Sequence, residues 1–279
     1  MKTLSTLLIF AACVVAAQND RAGLQPGTLA EPWLTGGPNC LTVPDWQVHE
    51  YNEDFYILRE SGCVHFEKPF LYLIFGDKKA LLEDTGVASL ADKSVIPTAP
   101  VVMNLIAKWA KRKNHAPVSL VVIHSHSHGD HTAADSQFQQ MPDVQFIAAA
   151  PPDIQKAAGI ANWPTDLGQI DLGNRIIDVI PFPGHDVASI ALYDRVTGNL
   201  MTGDSLYPGR LGVAEAQIPT FAASAERLLA FVKVHPVEVP DLVATIYKKL
   251  GIDYNKEYVS NIGRPIKLSQ GKPIDFLLV

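Results

Sequence analysis

The amino-acid sequence predicts an α/β fold, because short apolar runs alternate with segments of helical periodicity. The apolar run at residues 70–75 is followed by a turn and a second run at 80–82, which indicates two adjacent strands. Residues 101–113 then repeat apolar side chains at helical spacing. The apolar stretch at 118–123 predicts a buried strand that leads directly into a group of histidines. The predicted fold therefore places polar side chains at the end of a strand.

The second half of the chain continues this alternation. Four more strands are predicted, at residues 144–149, 175–181, 189–193 and 199–202. Ser224 is expected to cap a helix that carries Leu228, Phe231 and Val232 on one face. With 279 residues, of which 47% are apolar, the chain is long enough for one large or two small domains and can bury a substantial core.

The charge balance excludes one class of function. The chain carries a net charge of −6 and has no run of basic residues. A nucleic-acid-binding protein needs a positively charged surface, so we expect no nucleic-acid partner. We expect a small-molecule substrate instead.

The amino terminus has the pattern of a secretory signal peptide. One lysine is followed by a short apolar stretch and small residues, so we expect residues 1–17 to be removed and the protein to be periplasmic or secreted. The alternative is a buried first helix. Residues 18–45 are rich in Pro and Gly and are interpreted as an extended lead-in, and no other segment is suited to cross a membrane. Cys40 and Cys63 then remain, either as a disulfide or as two buried thiols.

Four of the nine histidines lie within eight residues, in a pattern typical of a metal site. His126 and His128 are two residues apart on an extended loop, so their side chains point the same way and can bind one ion together. Asp130 and His131 then turn toward a second position. Imidazole nitrogens and carboxylate oxygens are the ligands that zinc takes in proteins. The alternative is a polar loop with incidental histidines, and His124 is expected to be structural.

Two later motifs add candidate ligands. Pro183-Gly184-His185 follows a predicted strand and places a histidine on a tight turn. Gly203-Asp204 follows another strand and places a carboxylate at its end. Each motif alone is also typical of an ordinary turn. Their order after the histidine group favours a shared metal site.

Together these motifs resemble those of the metallo-β-lactamase-fold hydrolases. That family carries HxHxDH, then PGH, then GD at a later strand end, and Asp84-Thr85-Gly86 resembles its strand–turn signature. The resemblance covers a domain at residues 46–236. It implies an αββα sandwich with the metals at one edge of two facing sheets.

The resemblance also implies a set of ligands and a reaction. A first metal would be held by His126, His128 and His185, a second by Asp130 and His131, and Asp204 would bridge the two. The cofactor would be zinc, with one or two ions per chain, and the nucleophile a hydroxide held by the metal. Asp130 would orient this hydroxide or move its proton. The substrate would be an ester, thioester, lactone or lactam.

The residue at position 204 indicates which branch of the family this chain resembles. The β-lactamases of this fold usually carry Cys or Ser there, whereas a carboxylate is typical of glyoxalase-II-like, lactonase-like and phosphodiesterase-like enzymes. Asp204 and Tyr207 form a D-x-x-Y pattern that resembles the lactonase-like branch, in which the tyrosine hydroxyl faces the substrate carbonyl. Tyr207 is otherwise a packed aromatic residue in a turn. A metallo-β-lactamase proper remains the alternative enzyme, and a catalytically impaired metal-binding protein the alternative outside enzymes.

The carboxyl-terminal part departs from the family pattern. A final histidine normally completes the second metal position after a late strand, but here only His235 follows Asp204, and it lies too early. Residues 237–279 resemble the extreme end of sulfatase-like proteins, through the segments around 239–253 and 263–274. We therefore expect an incomplete sandwich joined to an atypical tail. The second metal position would lack one ligand and bind its ion weakly.

Overall fold

The computed structural model describes most of the predicted domain. Its described residues are 24–25, 27–30, 32–33, 36, 40–206, 212–234, 253, 255, 257–259 and 265–267. The predictions for residues 1–17, Tyr207, His235 and most of the tail lie outside them. The chain divides into two units, one of residues 30–226 and the other of residues 1–29 and 227–279.

A six-stranded sheet forms one layer of the larger unit. Its strands are β1 (Trp46–Asn52), β2 (Phe55–Glu60), β3 (Phe70–Phe75), β4 (Lys79–Glu83), β5 (Ser119–Ile123) and β6 (Val144–Phe146), in that spatial order. The pairs β1–β2, β2–β3 and β3–β4 are antiparallel, whereas the pairs β4–β5 and β5–β6 are parallel. A parallel pair needs a crossover, and helix α1 (Thr98–Lys113) supplies it between β4 and β5.

A second, four-stranded sheet is entirely antiparallel. Its strands are β7 (Gly168–Asp171), β8 (Ile176–Pro181), β9 (Ile190–Asp194) and β10 (Leu200–Met201), in the order β10-β9-β8-β7. The shorter helices are α2 (Gly129–Thr132) and α3 (Pro151–Ala158), and α4 (Ile218–Val234) continues across the unit boundary in the chain. In the smaller unit, β11 (Glu257–Val259) pairs antiparallel with β12 (Pro265–Lys267).

Both faces of the first sheet are buried, which explains its continuous apolar runs. Leu73, Leu82 and Val122 pack with Trp109 of α1 on one face. Ile74, Leu81 and Ile123 point to the opposite face and are also buried. The buried strands of the second sheet form the opposite layer, so the expected α/β sandwich is confirmed.

Two sequence predictions need correction. Ser224 does not cap a helix: α4 begins at Ile218, and the Ser224 hydroxyl instead donates a hydrogen bond to the carbonyl of Pro183 at 2.8 Å. The strand expected at 144–149 ends at Phe146. The prediction of strands at 70–75 and 80–82 is confirmed by β3 and β4.

Cys40 and Cys63 form a disulfide, with their Cα atoms 5.5 Å apart. This separation lies within the usual range for the bond. The disulfide joins the segment before β1 to the loop between β2 and β3. Within the part of the chain that the structure describes, no helix is long and apolar enough to span a membrane.

Candidate metal centre

The histidine group lies where β5 ends, at one edge of the sandwich. The chain leaves β5 at Ile123 and passes through His126 before α2 begins at Gly129. The amide of Ile190, at the start of β9, donates to the carbonyl of Ser125 at 2.8 Å. This bond ties the histidine segment to the second sheet. The edge where strands end is where α/β folds place their chemistry.

Three histidines form the first ligand group. One ring nitrogen of each of His126, His128 and His185 lies within 4.8 Å of the others. His128 Nδ1 and His185 Nε2 are 3.0 Å apart. Tetrahedral zinc with Zn–N bonds of about 2.0–2.1 Å separates its ligand atoms by about 3.3 Å. The three rings therefore fit a single ion.

The turn that carries His185 depends on a glycine. Gly184 has a positive φ of 149°, and a Cβ there would lie 2.6 Å from the Cβ of Phe221 in α4. His185 Nδ1 donates to the carbonyl of Gly212, which leaves Nε2 directed toward the other histidines. The hydroxyl of Ser224 supports the same turn through Pro183. Helix α4 thus helps to hold the third histidine of the group.

A second ligand group shares His126. It combines His126 with Asp130 and His131, whose ligand atoms also lie within 4.8 Å of one another. His131 Nε2 is 3.3 Å from Asp130 Oδ2 and 3.5 Å from Asp204 Oδ1. Asp204 Oδ2 is 4.0 Å from His185 Nε2. Asp204 therefore lies between the two groups, with one oxygen toward each.

His126 carries the atom that best tests whether a metal fits. Its Nε2 is buried, and no described residue provides a hydrogen-bond partner for it, while Nδ1 lies 3.0 Å from the Ser125 hydroxyl. Burial, followed by the nearby His131, lowers the pKa of His126 to about 4. The ring is therefore neutral at pH 7, which is the form that binds metal. A metal ion would satisfy the buried nitrogen.

Asp84 orients His131 from behind. Its carboxylate accepts hydrogen bonds from the Ser125 amide and hydroxyl, both at 2.8 Å, and from His131 Nδ1 at 2.6 Å. The His131 Nε2 atom is thereby left for the second ligand group. A carboxylate behind a metal-binding histidine fixes its tautomer and raises its basicity. From the sequence, Asp84 is recognisable only as part of the Asp84-Thr85-Gly86 signature, and its hydrogen bond to His131 becomes visible only in the folded chain.

The charges of the second group are strongly coupled to His131. Burial alone would lower the pKa of His131, but Asp84, followed by Asp130 and Asp204, raises it to about 12. Burial would raise the pKa of Asp130, but its contact with His131 lowers it to about 2. Asp204 likewise has a lowered pKa, chiefly through His131. Both aspartates are therefore carboxylates at neutral pH and offer oxygen ligands.

His124 has other partners. Its Nε2 lies 2.8 Å from Asp135 Oδ1, and its Nδ1 lies 3.2 Å from the carbonyl of Ile147. Neither ligand group found among the described residues includes it. Asp135 also accepts a hydrogen bond from Thr85, next to Asp84. His124 thus connects β5 to the helical segment that follows the metal ligands.

A cavity of about 600 Å³ opens beside the second ligand group. Asp130, His131 and Asp204 line one side of it. The inward faces of three neighbouring strands also contribute to its walls, through Arg59, Tyr72 and Glu83. Its volume lies in the range of small-molecule sites in proteins. The contribution of these strands cannot be predicted from the sequence motifs, because it depends on how the strands pair.

Comparisons with known proteins agree with this arrangement. A family model described as the metallo-beta-lactamase superfamily matches residues 68–243, which is more than half of the chain. The acyl-coenzyme A thioesterase MBLAC2 of Bos taurus is 23% identical over 223 residues, covering 69% of this chain and 78% of the relative. The hydroxyacylglutathione hydrolase of Rippkaea orientalis is 29% identical over 106 residues, covering 36% of this chain and 41% of the relative.

Solved structures with similar folds include the metallo-beta-lactamase IND-7. The two chains are 16% identical, and the match covers 70% of this chain and 89% of the IND-7 chain, with a TM-score of 0.47. The family match spans β4, both ligand groups and the strand before Asp204, and it extends to residue 243. The chain belongs to the metallo-beta-lactamase superfamily and is a metal-dependent hydrolase.

Proposed function

We propose that the protein is an exported zinc hydrolase whose substrate is an acyl thioester. The observation that carries this proposal is the pair of overlapping ligand groups, joined through His126, of which the second lines a substrate-sized cavity. Both curated relatives described above are hydrolases of acylated thiol carriers by name, which supports a thioester over an ester, lactone or lactam.

The donor set supports zinc as the metal. Three imidazole nitrogens in one group, and an imidazole with carboxylates in the other, are the ligands that zinc takes in hydrolases. Bound zinc supplies Lewis acidity and lowers the pKa of a coordinated water to about 7. Among the described residues no thiolate is available as a ligand, because Cys40 and Cys63 are paired with each other.

Residues of this chain would orient the attacking water and move its proton. Asp130 and Asp204 are carboxylates at the cavity wall, so either can accept a hydrogen bond from an attacking water and hold its orientation. Asp130 would accept a proton from the attacking water as the new C–O bond forms, and would then deliver it to the thiolate that leaves when the C–S bond breaks. Asp84 keeps His131 in one orientation throughout, since it holds Nδ1 by a short hydrogen bond.

Export is part of the proposal. The signal-peptide pattern of residues 1–17 is its main support. The Cys40–Cys63 disulfide adds to it, because disulfides persist mainly in oxidising compartments such as the periplasm and the extracellular space. Expression with the native leader, followed by fractionation and mass determination of the mature chain, tests this point directly.

A substrate panel tests the hydrolase. The mature chain, loaded with Zn²⁺, is assayed with an acyl-coenzyme A, an S-acylglutathione, a lactone, a phenyl ester and a chromogenic cephalosporin. We expect a thioester to be hydrolysed fastest, and a chelator and His126→Ala each to abolish the activity. His115→Ala is the matched control, because His115 is exposed and contacts only its neighbouring segment.

The same panel separates the alternatives. Turnover confined to the cephalosporin would make the protein a β-lactamase and would refute the thioester proposal. Bound zinc without turnover of any substrate would make it a metal-binding protein without hydrolase activity. Activity that survives both the chelator and His126→Ala would contradict the metal mechanism.

A further inference from the structure

Glu60 is a buried carboxyl group outside both ligand groups and outside the wall of the cavity beside them. It is the last residue of β2, and it is completely buried. The strand alternation places it on the same face of the sheet as Tyr56 and Leu58, which belong to the hydrophobic core beside α1. A carboxyl group in such surroundings is unfavourable unless it is paired. Its partner therefore indicates its role.

The partner of Glu60 is the loop that follows β4, residues 84–87, which we call the β4 loop. Glu60 Oε2 accepts a hydrogen bond from the Val87 amide at 3.0 Å. The same oxygen lies against Gly86, where a Cβ would come within 2.8 Å of it. Gly86 also has a positive φ of 100°, which favours glycine. The carboxyl group and the β4 loop are thus in direct contact.

The opposite side of the β4 loop contacts the segment that carries the second ligand group. The Thr85 amide donates to the carbonyl of His131 at 2.8 Å. The Gly86 carbonyl accepts a hydrogen bond from the Ala133 amide at 3.0 Å. Asp84, the first residue of the loop, holds the His131 ring through Nδ1 at 2.6 Å. The β4 loop is therefore bonded to the end of β2 on one side and to the metal-ligand segment on the other.

The hydrogen bond to Glu60 differs from the other amide bonds of the loop because it depends on a side chain. The amides of Asp84 and Thr85 donate to backbone carbonyls, which any sequence provides. The Val87 amide is buried, and its acceptor exists only while residue 60 carries a suitable oxygen. A buried amide without an acceptor is unfavourable, so an apolar residue at position 60 would favour a different path of the loop.

We propose that Glu60 is a positioning residue of the metal centre. Its carboxyl group fixes the end of the β4 loop, and the loop fixes Asp84 and, through it, the His131 ring. The effect is larger at the second metal position, because Asp84 bonds directly to His131 but reaches the first ligand group only through Ser125. This inference rests on the metal centre of the proposed function and is independent of the substrate.

Two substitutions of Glu60 test the inference through metal affinity. Glu60→Leu removes the acceptor, whereas the side-chain carbonyl of Glu60→Gln can still accept the hydrogen bond from the Val87 amide. In a zinc titration against a competing chelator, Glu60→Leu should lower the affinity of the second equivalent by at least about tenfold. The first equivalent should change less. Glu60→Gln should remain close to the wild type for both equivalents.

Proton NMR of the metal-free proteins provides a second readout. A proton in a short histidine–carboxylate hydrogen bond resonates far downfield, and the His131 Nδ1 signal is identified by its change in Asp84→Asn. Glu60→Leu should shift or broaden this signal, and Glu60→Gln should preserve it. Leu58→Ala is the matched control, because it destabilises the same strand without removing the acceptor at residue 60. It should leave the signal in place.

Three outcomes would overturn the inference. The first is a folded Glu60→Leu variant that keeps either the second zinc affinity or the His131 signal of the wild type. The others are equal losses in Glu60→Gln and Glu60→Leu, and equal losses in Leu58→Ala and Glu60→Leu. Thermal unfolding checks that the variants fold, and Glu60→Met, which is similar in length but lacks a strong acceptor, replaces Glu60→Leu if that variant does not fold. If the wild type hydrolyses no substrate, the proposed function fails, while the His131 signal still tests this inference.

Discussion

Among single residues, Asp84 connects the fold to the chemistry most directly. It stands at the end of β4 with a positive φ of 65°, and it is almost fully buried. Its three hydrogen bonds join the backbone of the histidine segment, a serine hydroxyl and the His131 ring. Burial would raise its pKa, but the charge of His131 holds it below the ordinary value. Asp84 therefore positions His131, a ligand of the second metal position.

The variant Asp84→Asn tests this role. Asparagine has nearly the same size and tolerates a positive φ, so the fold should survive. We expect the second zinc affinity and kcat/KM to fall by about 10–100-fold, because the amide no longer fixes the His131 tautomer. Zinc titration and thioester hydrolysis measure both effects. The control is Asp135→Asn, which alters another histidine–carboxylate pair, that of His124; equal losses in both variants would argue against a specific role.

Glu60 predicts a pH dependence of stability. Burial raises the pKa of Glu60 from 4.5 to about 7. The hydrogen bond from the Val87 amide lowers this pKa, and the nearby charge of Asp45 raises it further. Between these values the folded state binds more protons than the unfolded state, so the free energy of unfolding falls as pH rises. Glu60→Gln removes this loss. Relative to the wild type, the metal-free variant should gain up to about 3 kcal/mol between pH 4 and pH 8 in urea unfolding; a constant difference would contradict the raised pKa.

At the scale of elements, two glycines precede site aspartates but differ in their surroundings. Gly203 has a positive φ of 47°, and a Cβ there would lie 2.5 Å from the Ser125 side chain. Gly129, before Asp130, has nothing within 4 Å of the corresponding position. The turn after β10 can therefore approach the histidine segment only if residue 203 lacks a side chain.

This contrast gives a paired prediction. Gly203→Ala should displace Asp204, lower hydrolysis by at least about tenfold, and lower stability by about 1–3 kcal/mol through strain. Gly129→Ala should keep most of the activity. Steady-state kinetics and urea unfolding of both variants measure the effects. A Gly203→Ala variant with wild-type kinetics would show that the close approach is not required.

Some of the strands can be predicted from the sequence, whereas others cannot. The strands β3, β4 and β5 were predicted because both of their faces are buried and their runs are continuous. The strand β1 was missed because its burial is interrupted along the strand, and β2 because it ends in Arg59 and Glu60. These charges lie in buried surroundings that only the folded sheet provides. The prediction that Ser224 caps a helix is wrong because a serine inside a helix can donate a hydrogen bond to another element, here to the carbonyl of Pro183.

At the scale of the whole molecule, the metal should contribute to stability, because its ligands come from segments far apart in the chain. His126, His185 and Asp204 follow strands of both sheets. A ligand that binds only the folded state stabilises it by about 2.7 kcal/mol at a hundredfold excess over Kd. The ligand types and their order were predictable from sequence motifs. The contributions of Asp84 and of the strands that line the cavity were not, since they depend on how the strands are registered.

Metal removal should therefore lower the melting temperature. We expect a chelator to lower Tm by about 5–10 °C in the wild type and to have little effect on His126→Ala. The effect should persist in His115→Ala. Differential scanning calorimetry with and without added Zn²⁺ measures the shift. A wild-type Tm that does not respond to the chelator would argue against a metal held by the folded chain.

Anomalous scattering at the zinc edge, from crystals of the zinc-loaded protein, would locate the metal ions directly. We expect one strong peak among His126, His128 and His185. We expect a second, weaker peak beside Asp130 and His131. Crystals without an ordered zinc ion, or with zinc bound only away from these side chains, would contradict the assignment of this edge of the sandwich as a metal centre.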